Sequence, residues 1–129
     1  MPRKDSAARA FIEYARFGLD RRELTAIDAA KIIRAAVTTD ARALKLIAVY
    51  DTLRVLEATN RAEAAKAVRE VYFSGQGRVP RKNEISCAVL RFAIANNMDE
   101  RTVWRRLETA KRLYTSLYAA QISHLEKVL

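Results

Sequence analysis

The sequence predicts an all-α fold: a helical bundle followed by a C-terminal helix-turn-helix with a long last helix. Three observations lead there. Only 3 glycines and 2 prolines occur in 129 residues, too few turn formers for a chain of short strands. Alanine, leucine, arginine and glutamate dominate, and all four favour helices. Apolar residues recur at spacings of three and four rather than two, the period of one helix face. With 50% hydrophobic and 30% charged residues, the chain has enough apolar surface for a core of its own.

Residues 5–17 read as the first helix, with Ala8, Phe11, Ile12 and Ala15 on one face and Gly18 ending it at C′. Asp20 with Glu23, and more weakly Thr25 with Asp28, have capping-box spacing. A second helix then runs to about residue 37, with Ile27, Ala30, Ile33 and Val37 as its stripe. Thr38, Thr39 and Asp40 interrupt it. The third helix, about residues 40–58, carries Leu44, Ile47, Tyr50 (or Ala48), Leu53 and Leu56, with Leu46 and Val49 widening the stripe. So broad an apolar surface is expected of a central helix touched on more than one side. Thr59 and Asn60 break the run, and Asn60 with Glu63 has box spacing before a fourth helix that turns Ala64, Val68, Val71 and Tyr72 inward.

Ser74, Gly75, Gln76 and Gly77, closed by Pro80, form the most flexible-looking stretch. It marks the expected boundary between an N-terminal helical bundle, 1–74, and a C-terminal module, 75–129; the alternative is an ordinary loop inside one domain. A fifth helix, a turn at Asn96, Asn97 and Met98, and a sixth helix capped by Asp99 follow. In the sixth, Val103, Leu107, Ala110, Tyr114 and Leu117 form the buried stripe, and Arg101, Arg105, Arg106 and Arg112 lie off it. Tyr118, Ile122, Leu125 and Leu129 continue the pattern. This surplus either returns onto the bundle or pairs with a second copy. An exposed apolar stripe would lower solubility, so a homodimer through the last helix is the favoured expectation.

The formal net charge is +9 and the isoelectric point about 10.1, a balance that suits a polyanionic partner, nucleic acid first and an anionic membrane surface second. Between residues 78 and 112 nine basic residues stand against four acidic ones, leaving +5 in about a quarter of the chain. The anion-binding face is therefore expected there. Other function classes find little support. The single cysteine, Cys87, excludes an internal disulfide and a multi-cysteine metal site, and reads as a reduced, half-buried thiol. His124 lacks partners at ligand spacing and reads as a surface histidine. No phosphate-binding glycine loop, nucleophile elbow or paired-carboxylate pattern is present, so neither enzyme nor cofactor is expected. Neither a secretory signal nor a run near the roughly 18 apolar residues of a membrane span occurs; a cytoplasmic protein without membrane contact is the expectation.

The run ERTVWRRLETAKRLY, residues 100–114, resembles the recognition helix of region 4 in bacterial sigma factors and the related phage regulators of the ArpU and RinA type. Asp99 matches the cap, Thr102 and Val103 the Thr-Val pair, Arg105 and Arg106 the basic residues, and Leu107 the core leucine; Ala110-Lys111-Arg112-Leu113 completes the match. The resemblance covers residues 83–117 and not the first 75. Two positions depart from the pattern. Asn96 falls where a leucine usually precedes the turn, and Trp104 takes a slot commonly small or basic. Trp104 lies about 100° from Val103 around the helix; packing at the core or its edge is its expected role, with stacking on DNA as the alternative.

The resemblance implies a sequence-specific, double-stranded-DNA-binding transcriptional regulator of phage or prophage type, in which RNA polymerase is a second possible partner. Arg101, Thr102, Arg105 and Arg106 would enter the major groove, and Arg78, Arg81 and Lys82 would hold backbone phosphates. Two other readings stand beside it: a DNA-packaging protein like small terminase subunits, and a helical adaptor that binds protein, RNA polymerase for instance.

Overall fold

A computed structural model describes residues 6–19, 25–36, 40–74, 81 and 83–128. The described residues are helical with no strand: α1 (Ser6–Arg16), α2 (Ala26–Ala36), α3 (Asp40–Ala58), α4 (Ala62–Val68) with a π-helical continuation (Arg69–Phe73), α5 (Glu84–Ala95) and α6 (Glu100–Val128). The all-α expectation holds, and none of the described helices is long and apolar enough to cross a membrane.

Asparagine ends or starts three of these helices. Asn60, Asn83 and Asn97 have φ of 66°, 67° and 53°, the left-handed region that asparagine tolerates better than most residues. After α3, Asn60 turns the chain so that the Arg61 N–H donates to the Leu56 carbonyl at 2.8 Å, satisfying a carbonyl the helix end leaves free. The expected Asn60–Glu63 box is therefore replaced: Asn60 closes α3, and Arg61 stands at the cap of α4 without a side-chain bond. Gly18, at φ 68°, ends α1 as expected. Thr25 caps α2, its Oγ1 accepting from the Asp28 N–H at 3.1 Å. The Asp20–Glu23 pair lies outside the described residues.

Among the described residues alanine supplies twelve of the thirty buried apolar ones, and this shifts several faces from those expected. In α1 the buried set is Ala7, Ala10, Phe11, Tyr14 and Ala15, while Ala8 and Ile12 sit at its edge. In α2, Ile33 is buried as expected and Ala30 half-buried, but Ala29 is buried as well and Ile27 is left 68% exposed, while Val37 lies outside the described residues. An alanine-rich helix can rotate toward its alanines because small side chains let backbones approach closely.

The breadth of α3 has the expected cause: it packs against α1, α2, α4 and α6. Its inward residues include Leu46, Val49, Leu53 and Leu56, with Thr52 satisfied by its own helix through Oγ1 to the Ala48 carbonyl at 2.6 Å. In the π segment, Val71, Tyr72 and Phe73 are buried in succession. Consecutive side chains can all be buried because this segment is covered on more than one side, by α1 and by α5.

Those rings tie the ends of the chain together. Phe11 meets Tyr72 at 5.6 Å and Tyr114 at 5.9 Å between ring centroids, and Tyr14 stacks on Phe73 at 5.6 Å. One core cluster accordingly contains side chains from both sides of residue 74, from Ala7 to Tyr114. Farther along, α6 lies on α3: Tyr118 stacks on Tyr114 at 5.9 Å and packs against the core, and Gln121 Nε2 donates to Asp51 Oδ2 at 2.9 Å. The surplus of the last helix thus folds back on its own chain. Of the residues behind the solubility argument for pairing, Tyr118 and Ile122 are half-buried in the single chain, and the side chain of Leu125 lies outside the described residues. Burial raises the Asp51 carboxyl above its ordinary value, with the Gln121 bond acting the other way. The other amide atom, Gln121 Oε1, is buried with no partner.

Candidate nucleic-acid interface

The segment 81–117 starts from a local cap. The Arg81 N–H donates to Glu84 Oε1 at 2.8 Å, and the Glu84 N–H returns to the Arg81 carbonyl at 3.0 Å. This fixes the backbone of Arg81, whose side chain is exposed, at the entrance to α5. Arg78 and Lys82 lie outside the described residues. In α5, Ala88, Val89, Phe92 and Ala93 are buried, while Leu90 and Ile94 are 43% and 72% exposed. Cys87 is exposed rather than half-buried: it shares the outer side of α5 with Leu90 and Ile94.

The turn after α5 is closed by three backbone bonds. The Asn96 N–H donates to Phe92 O at 3.0 Å, Asn97 N–H to Ile94 O at 3.2 Å, and Met98 N–H to Ala93 O at 2.9 Å. With Asn97 left-handed, the last two are the paired bonds of a Schellman ending, and half-buried Met98 packs on the core. Asn96, where the resembled pattern has leucine, instead returns its side-chain Nδ2 to the Phe92 carbonyl at 2.9 Å. α6 begins at once: the Asp99 carbonyl accepts from Thr102 and Val103 at 3.0 and 3.3 Å.

Along α6 the burial divides cleanly. Val103, Leu107, Ala110 and Tyr114 are at most 2% exposed. Arg101 and Arg105, one turn apart, are exposed and make no ion pair among the described residues. Two like charges at this spacing cost a few tenths of a kcal/mol; Asp99, Glu100 and Glu108 lie nearby in sequence, but none forms an ion pair with either arginine. Two turns on, the same side is quieter, because Arg112 Nε reaches Glu108 Oε2 at 3.3 Å. Lys111 leans inward over the Tyr72 ring at 5.6 Å.

The expected site residues therefore separate. Arg101 and Arg105 share the exposed side, Thr102 is half-buried at its margin, and Arg81 is exposed at the start of α5. Arg106 is half-buried, with Nη1 donating to Met98 Sδ at 3.6 Å. It braces the turn. Its place, about 60° from Val103 on the helix circumference, was the available sign of that role. Trp104 runs the other way: it is 39% exposed rather than packed at the core edge. It flanks the arginines, on the opposite side of the stripe from Arg106.

No protein-family model, curated protein or solved structure matches this chain. Among the described residues no group of three or more His, Cys, Asp and Glu side chains could hold a metal ion.

Proposed function

We propose that this protein binds double-stranded DNA through α5, its turn and α6, acting as a sequence-specific transcriptional regulator of the phage or prophage type. One observation carries the reading: α6 opens with Arg101 and Arg105 exposed and, among the described residues, without an ion pair, on the side opposite a fully buried apolar stripe. A helix built this way can enter a major groove without disturbing the core that holds it. The turn supports the same use. Three backbone bonds and the Met98–Arg106 contact fix where α6 starts, so its leading arginines arrive in a set direction.

In this mechanism the protein acts stoichiometrically. The overall +9 charge draws the protein to the duplex, Arg101 and Arg105 contact phosphates or base edges, and Arg81 holds a phosphate beside the start of α5. Arg78 and Lys82 add to this backbone grip. Arg106 positions the helix rather than touching DNA.

A protein-binding adaptor, for RNA polymerase or another partner, is the second reading, favoured by exposed Leu90 and Ile94 on α5. Selection of bound sequences from random duplexes, repeated at two salt concentrations, tests the first. A common recognised sequence is expected, with affinity falling steeply as salt rises. Recovery of unselected sequences at both concentrations refutes sequence-specific binding.

A further inference from the structure

We infer that Trp104 is a base-reading residue selective for thymine; the inference rests on the DNA-binding reading above. Trp104 is the chain's one tryptophan. It remains 39% exposed on a helix whose other large apolar side chains around it, Val103 and Leu107, are fully buried. It stands one turn after Arg101 and next to Arg105, the two unpaired arginines of α6. Its neighbour one turn on, Glu108, is drawn toward Arg112. The indole thus offers a flat apolar surface and one N–H donor at the edge of the basic face, and that N–H has no partner among the described residues.

Chemistry then selects the base. A donor with no acceptor, joined to an apolar plate, complements an acceptor beside an apolar group. In the major groove only thymine presents that pair, O4 with the 5-methyl beside it; guanine shows two acceptors without a methyl, and cytosine a donor. An arginine in this slot would favour guanine instead. Any phosphate that the neighbouring arginines hold carries no sequence information, and an arginine at a base edge favours guanine, so selection of thymine falls to Trp104.

Removing the methyl groups from the DNA tests this on the unaltered protein. Binding is measured to equal-length duplexes of alternating dA-dT, dA-dU and dG-dC at low salt, while the emission of Trp104 is followed. All three are expected to bind through phosphates. The dA-dT duplex is expected to bind about fourfold tighter than dA-dU for each methyl contacted, the factor expected for one buried carbon, with a change in emission. In Trp104→Ala the dT-over-dU preference is expected to disappear while dG-dC binding persists. Trp104→Phe, which keeps an apolar ring but no N–H, is expected to retain part of the preference. Equal affinity for dA-dT and dA-dU, or a preference that survives in Trp104→Ala, overturns the role of Trp104 and leaves DNA binding standing. Failure to bind any duplex at low salt removes the DNA-binding reading itself, and the inference with it.

Discussion

Replacing Arg101 and Arg105 together with alanine removes two exposed charges at the start of α6 that have no ion pair among the described residues. If each neutralises one phosphate, the slope of log affinity against log salt becomes shallower by about 1.8, at about 0.9 per phosphate. Between about 50 and about 200 mM salt that difference amounts to roughly tenfold, so the variant's deficit is about ten times larger at the lower concentration. Stability should barely move. Neither side chain is buried, neither loses a partner, and removing two like charges at (i, i+4) returns a few tenths of a kcal/mol. Fluorescence anisotropy of a labelled duplex across a salt series gives the slope, and thermal unfolding gives the control. An unchanged slope with unchanged affinity refutes the assignment of this face to DNA. A melting temperature lowered by more than about 5 °C would show instead that these arginines support the fold.

Three further outcomes follow from the interior. Leu107→Ala, at a site with 0% exposure, is expected to cost about 2–5 kcal/mol in urea unfolding; a loss under 1 kcal/mol would contradict the packing of α6 described above. Asn97→Ala is expected to destabilise by about 1 kcal/mol, because alanine resists the φ of 53° that ends α5, while Asn97→Gly is tolerated; equal effects would show that the turn relaxes. Asp51→Asn is expected to raise the melting temperature at pH 7. The folded Asp51 carboxyl titrates above its ordinary value, so the folded state binds more protons than the unfolded state between the two values, and wild-type stability falls as pH rises through that window. The asparagine carries no charge to desolvate, and its amide can donate to the unpartnered Gln121 Oε1. The advantage should therefore shrink as pH falls through that window toward the ordinary aspartate value and level off below it; a pH-independent gain would point to packing rather than charge.

The sequence by itself determined the helical class, the limits of the longer helices and the split along the leading half of α6. Few glycines and prolines and a period of three to four leave no other regular structure for this chain, and large residues such as Val103, Leu107 and Tyr114 mark a face unambiguously. The turn at Asn97 and the C′ role of Gly18 were legible for a related reason: local backbone conformation depends on a few adjacent residues. Only the tertiary structure decided which sides of α1 and α2 face inward. Alanine is nearly neutral as a signal, so a stripe of Ala7, Ala10 and Ala15 looks no stronger than its neighbours until another helix lies against it. The same holds for the return of α6 onto α3, fixed by Gln121 and Asp51 seventy residues apart. It holds also for Asn60, which could cap the helix after it or end the one before it. Trp104 and Arg106 make the point at the candidate interface. Both flank one stripe, and which flank is covered depends on what packs beside it: Met98 comes back over Arg106, while Trp104 stays 39% exposed. Periodicity places a side chain around its own helix axis; its surroundings come from parts of the chain far away in sequence.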